Sequence, residues 1–166
     1  MKYILLFLLF KSSLFSQVLY LLPDDADNAI HYLNTKILKA EKNILIITDK
    51  LNNYSIKKSL IKAAQANVTI TLISAKNDLK KQLALYRNIN TREIIPIQSP
   101  VKKGKISMSI IIIDDSLTCK LSTSLEKQDI KHDTAIFTCN EDRAYTHTLK
   151  NILKPLIGRS TPYLDN

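Results

Sequence analysis

The sequence predicts an α/β domain: a mixed β-sheet with helices on both faces. Three observations carry this. In the first half, short apolar runs alternate with stretches of helical periodicity. A run of isoleucines from Ile110 to Ile113 then leads into Asp114-Asp115-Ser116 and a second β-rich run, the pattern of a hairpin. A last amphipathic stretch closes the chain. Alternation implies parallel strands joined by right-handed crossovers and a hairpin implies an antiparallel pair, so the sheet is mixed.

The elements follow in order. Val18 to Leu22 is a short β-rich run closed by Pro23, and Asp24 and Asp25 offer an N-cap. Ala26, Ala29, Ile30, Leu33, Ile37 and Ala40 recur at helical spacing, with Asn43 ending that helix. Ile44 to Ile47 is a continuous apolar run, as in a strand covered on both faces. Ser55 caps a second helix with Ile56, Leu60, Ala63 and Ala64 on its apolar side, and Asn67 suits a left-handed C-terminal position. Val68 to Ile73 is the next strand. A third helix carries Leu79, Leu83 and Tyr86, and Glu93 to Ile97 is an edge strand because Pro96 has no N–H to donate. Ser99 to Lys105 is a loop. Strands over Ile106–Ile113, Leu117–Leu121 and Thr134–Thr138 follow. Asn140, Glu141 and Asp142 open a last helix whose apolar side is Ala144, Leu149, Ile152, Leu153 and Leu156. Gly158 lies past its end.

The 166 residues, 45% hydrophobic and 23% charged, suit one domain around one core. Its expected bounds are 17–158, between a leader at 1–16 and a loose tail at 159–166. In the leader, Lys2 precedes an unbroken apolar run from Tyr3 to Phe10, and Ser16 offers a cleavage point. This reads as a signal peptide, so the protein is expected to be exported, periplasmic or secreted. The competing reading is an uncleaved first helix or strand, which would leave the protein anchored to a membrane. Lys11 interrupts the run too early for a spanning helix of about 20 residues.

Net charge is +9, with 24 basic and 15 acidic residues; loss of Lys2 and Lys11 with the leader makes it +7. Nucleic acid, anionic lipid and acidic polymers are all compatible partners. With only 2 Gly, phosphate loops of the P-loop or dinucleotide type are excluded and no cofactor is expected. His31, His132 and His147 do not combine with the cysteines at zinc-ligand spacing, so no metal is expected. Cys119 and Cys139 lie on two predicted strands. They form a disulfide if those strands pair in register, or stay as buried thiols.

This order of elements, from Val18 to Leu156, resembles one phospholipase D-like domain of the small single-copy bacterial nuclease type. The family signature is His-x-Lys, four residues, then Asp. Ser107-Met108-Ser109 and Asp114 occupy those places, so only the Asp matches. A Gly-Ser-x-Asn element falls on Leu121, Ser122, Thr123 and Ser124, where Ser122 matches. A family acidic position falls on Asp133. The resemblance implies that the His would attack phosphorus, a second His would protonate the leaving group, and the Lys and Asn would stabilise phosphoryl charge. Two such copies would meet in a homodimer.

Ser107 and Ser109 keep the strand face but not the chemistry, since a serine hydroxyl without a base is a poor nucleophile. Asp114 has an ordinary turn role beside any functional one. Ser107, Ser109, Ser122, Ser124 and Asp133 either hold a phosphate-bearing ligand or fill space. Lys102, Lys103 and Lys105 either guide an anion or form a solvated segment. His132, beside Asp133, reads as an exposed loop residue ahead of a catalytic one. The favoured function is an exported, catalytically inactive phospholipase D-like domain that binds nucleic acid, anionic lipid or a protein partner. The alternative is an active exported phosphodiesterase with an atypical site.

Overall fold

A computed structural model describes residues 17–75, 83–84, 86–93 and 106–163. The leader at 1–16, Leu79, Pro96, Lys102, Lys103, Gly104 and Lys105 lie outside the described residues.

The strands are β1 (Gln17–Leu22), β2 (Asn43–Thr48), β3 (Leu51–Asn52), β4 (Thr69–Ser74), β5 (Ile89–Glu93), β6 (Ser109–Ile113), β7 (Leu117–Leu121), β8 (Leu125–Glu126), β9 (Ala135–Asn140) and β10 (Thr161–Pro162). The helices are α1 (Ala26–Leu38), α2 (Tyr54–Gln65), α3 (Lys127–His132) and α4 (Arg143–Gly158). Eight strands form one sheet in the order β1-β9-β7-β6-β2-β4-β5-β10, and β3 pairs with β8 separately. The pairs β2–β4 and β4–β5 are parallel, and the other pairs of the large sheet are antiparallel. The sheet is mixed, as the alternation followed by a hairpin requires.

Helices cover both faces. On one face, Leu33 and Ile37 of α1 and Ile56 and Leu60 of α2 pack over Ile44, Ile46, Ile70, Leu72, Ile111 and Phe137. On the other, α4 lays Leu153, with Leu149 and Leu156 at its margin, over Ile47, Ile73, Ile110 and Ile112. Side chains alternate across a strand, so Ile46 and Ile47 belong to different layers. That explains the unbroken apolar run of β2.

Several boundaries differ from expectation. α1 ends at Leu38 with Lys39 as its C-cap, and Asn43 opens β2 instead of closing the helix. Asn53, not Ser55, caps α2: its side-chain oxygen accepts from Ser55 N at 3.1 Å and Ile56 N at 3.3 Å. β5 begins at Ile89 rather than Glu93, after Asn88 at φ 69°. β6 begins at Ser109 rather than Ile106. Asn140 ends β9, and Asp142 caps α4 by accepting from Ala144 N at 2.8 Å and Tyr145 N at 3.2 Å. Ala144 and Ile152 face solvent, and Gly158 is the last residue of α4. The tail expected to be loose folds back: β10 pairs with β5, and Arg92 donates from Nε to Ser160 Oγ at 2.7 Å.

Other expectations hold. Asn67 sits at φ 67°. Asp114 and Asp115 both have positive φ, 51° and 56°, as a tight primed hairpin turn requires. Cys119 and Cys139 face each other across β7 and β9 and are joined as a disulfide in the core.

β1 is an edge strand, and Asp25 covers part of that edge. Its N–H donates to Leu21 O at 2.9 Å and its carboxylate accepts from Leu21 N at 3.2 Å. Asp25 stands at the N-cap of α1, but its side chain turns back onto the strand instead of accepting from the helix N–H groups. Closing these groups blocks a further strand from pairing there.

Candidate functional site

The residues at the degenerate signature positions do not form one cluster. Ser109 opens β6 and is fully buried. Its hydroxyl lies 2.7 Å from the hydroxyl of Thr48, at the end of the neighbouring strand β2. It also donates to Thr123 O at 2.8 Å. Thr48 Oγ1 donates to Lys50 O at 3.0 Å and accepts from Leu125 N at 3.3 Å. Two hydroxyls thus tie together the end of β2, the start of β6 and the segment joining β7 to β8. They share two protons among three contacts, so the group is neutral and turned inward.

Ser107 is exposed and lies before the strand begins. The expected common face of Ser107 and Ser109 depends on a strand reaching back to Ile106, and pairing starts only at Ser109↔Leu121.

Ser122 is a ladder clamp. Its N–H donates to Ile136 O at 3.1 Å and its hydroxyl accepts from Ile136 N at 2.9 Å. Ser124 is buried; its hydroxyl donates to the Asp129 carboxylate and accepts from Glu126 N at 3.1 Å, holding the entry to α3. Asp133, just past α3, accepts from Thr123 Oγ1 at 3.1 Å. Thr123 therefore joins Ser109, through its carbonyl, to Asp133, through its hydroxyl. Neither Thr48 nor Thr123 stands out in the sequence, because a lone threonine in a β-rich run carries no pattern.

Asp114 stands at the far end of β6, roughly 16 Å of strand from Ser109. Its carboxylate accepts from the N–H groups of Glu41 at 2.9 Å, Lys42 at 2.8 Å and Asn43 at 3.1 Å. It fastens the α1–β2 connection to the hairpin. Asp114 is a structural clamp at the hairpin, in line with the turn role expected of it.

Among the described residues, no base and no available cation is bonded to Ser107 or Ser109. His31 and His132 are exposed, and exposed His147 meets Asn151 Nδ2 at 3.3 Å. None bonds to Ser107 or Ser109. Lys50 is the lysine nearest the hydroxyl pair in sequence, and its ammonium turns to the Glu126 carboxylate at 2.7 Å. That hydrogen bond holds the Lys50 ammonium above the ordinary lysine range. Among the described residues, no His, Cys, Asp and Glu group is placed to hold a metal ion. Nor, among them, is any helix long and apolar enough to cross a membrane.

No family model matches the sequence, and no curated protein matches it. Solved structures do match. NucT from Helicobacter pylori superposes with a TM-score of 0.82 at 16% identity, covering 90% of this chain and 99% of that one. Nuc from Salmonella typhimurium, a phospholipase D family member, gives 0.70 at 12% identity, covering 90% and 98%. The phosphatidylserine synthase of Haemophilus influenzae Rd KW20 gives 0.69 at 9% identity, covering 89% of this chain and 39% of that one. The chain has the phospholipase D-like fold.

On this phospholipase D-like frame, the positions that resemble the signature acquire definite roles. Ser109 turns to the Thr123 carbonyl and Ser124 to the Asp129 carboxylate, so each short hydroxyl finds a partner inside the protein. Such a network is stable when fully satisfied.

Proposed function

We propose that this chain is an exported, catalytically inactive phospholipase D-like domain that acts as a binding module for a phosphate-bearing polymer. The observation that carries the inactive reading is Ser109. At the position of the signature lysine stands a fully buried hydroxyl, bonded to Thr48 and to Thr123 O. It has no charge to offer a phosphoryl oxygen and no route to one. Among the described residues, no imidazole or carboxylate is bonded to Ser107, at the nucleophile position, to take its proton.

Export is supported by the leader-like stretch at 1–16 and by the Cys119–Cys139 disulfide, a bond that persists in oxidising compartments. Binding to a phosphate-bearing polymer is supported by the net charge of +9, which stays at +7 without the leader.

The test is incubation of the oxidised protein with single-stranded and double-stranded DNA, followed by denaturing electrophoresis. The strands are expected to remain intact over hours. Cleavage that scales with protein concentration would establish the alternative, an active phosphodiesterase with an atypical site.

A further inference from the structure

Tyr54 is the first residue of α2 and is 71% exposed. A single exposed aromatic is ordinary; the surroundings of this one are not. Two clefts meet at its ring. One, of about 230 Å³, lies between α1, α2 and α3 and includes Asp27, Ser55, Lys127 and Lys131 in its lining. The other, of about 330 Å³, is lined by Asn52, Lys57, Glu126, Lys127 and Gln128 with Tyr54. Tyr54 and Lys127 line both clefts, and the Lys57 ammonium lies 5.8 Å from the centroid of the ring.

The setting is positive. Lys57, Lys127 and Lys131 line the two clefts against two carboxylates, Asp27 and Glu126. Both carboxylates already face a lysine: Asp27 faces Lys131 at 3.5 Å and Glu126 faces Lys50 at 2.7 Å. The start of α2 is also firmly held. Asn53 caps the turn that Tyr54 begins, and Ile56 and Leu60 bury the helix behind it.

An exposed ring on a rigid helix between two positive clefts meets the needs of an unpaired nucleic-acid strand. The ring supplies a face for a base and the lysines meet the phosphates on either side. A duplex keeps its bases stacked inside and has no use for the ring. A lipid surface needs apolar neighbours, and the second cleft offers only polar and charged side chains beside the ring. We propose that Tyr54 is a stacking platform for a base of single-stranded nucleic acid, with Lys57 and Lys127 contacting the flanking phosphates. The proposal rests on the binding-module reading and gives it a site away from the signature positions.

The experiment is fluorescence anisotropy of the oxidised protein with a labelled single strand of about 15 nucleotides, across a salt series. Wild type is expected to bind, and Tyr54→Ala to weaken binding roughly 5- to 150-fold, the range for losing one stacked base. Tyr54→Phe keeps the ring and is expected to bind as wild type. Lys127→Ala is expected to lower the slope of log affinity against log salt by about 0.7. Because Tyr54 is exposed, Tyr54→Ala is expected to melt with wild type, which circular dichroism checks. Equal affinity of Tyr54→Ala and wild type overturns the site and leaves the binding-module reading standing. So does binding to phosphatidylserine vesicles with none to the oligonucleotide. Cleavage of the strand, read by electrophoresis of the same samples, counts against the inactive reading instead.

Discussion

The hydroxyls of Ser109 and Thr48 stand 2.7 Å apart in a fully buried pair that joins β6 to β2. The same serine holds Thr123 O. Ser109 is thus part of the core's hydrogen bonding. The expected consequence is a stability effect without a functional one. Ser109→Ala removes one bond each from the partly buried Thr123 carbonyl and the buried Thr48 hydroxyl, at a cost of about 1–3 kcal/mol. Ser107→Ala, at an exposed position outside the strand, is expected to stay within about 0.5 kcal/mol of wild type. Urea unfolding of the two variants separates these outcomes; equal midpoints would contradict the role given to Ser109.

Asp114 makes a similar case at the other end of the strand. Three backbone N–H groups converge on its carboxylate while its own φ is positive. Asp114→Ala loses those bonds and puts an alanine in a left-handed conformation. A loss of about 2–3 kcal/mol is expected. Asp114→Asn keeps one oxygen acceptor and tolerates the conformation, so it is expected to lose less. Urea midpoints of both variants test the order.

The disulfide closes a loop with a sequence separation of 20 between two buried strands. Replacing both cysteines by alanine is expected to lower stability by about 3 kcal/mol, chiefly by freeing the unfolded chain. The variant is expected to retain the fold, because the β7–β9 ladder is also held by Leu121↔Phe137 and by the clamp at Ser122. Differential unfolding of wild type and double variant, with a circular-dichroism spectrum of each, measures both.

At alkaline pH two groups report on the packing of α1. The hydrogen bond from Lys36 to Glu141 raises the lysine above its ordinary range, while burial raises the Tyr32 hydroxyl beside it. Both folded groups hold their protons more tightly than the unfolded chain does. Their contribution is therefore complete below the unfolded values of 10.0 for Tyr32 and 10.5 for Lys36, and is lost as pH rises through the folded ones. The urea midpoint is expected to fall from about pH 10 upward. With both cysteines bonded, thiolate formation does not confound the titration.

Much of the frame was legible because it is written in periodicity. Ile56, Leu60, Ala63 and Ala64 are all buried, as the spacing requires. Asn67 takes the left-handed position, and the isoleucines of β6 sit in the middle of the sheet. Boundaries were less legible where two residues fit one role: Asn53 and Ser55 are both good caps, and only packing selects the first. β10 was invisible because a two-residue strand has no pattern, and its pairing depends on Arg92 meeting Ser160. At the candidate site, residue identities showed that the signature was degenerate. They did not show that Ser109 turns to a carbonyl or that Asp114 binds a distant backbone loop. Both depend on contacts between segments far apart in sequence. Thr48 and Thr123 became visible only as their partners.

The most direct test of an inward-facing, inactive site is turnover of a fluorogenic phosphodiester by wild type and by Ser107→His/Ser109→Lys. The account predicts no turnover above the buffer blank for wild type. It predicts none for the double variant, because Ser109→Lys forces an ammonium into a site built for a neutral hydroxyl and costs stability instead. Wild-type turnover proportional to protein concentration, and lost in Ser107→Ala or Ser109→Ala, would contradict it.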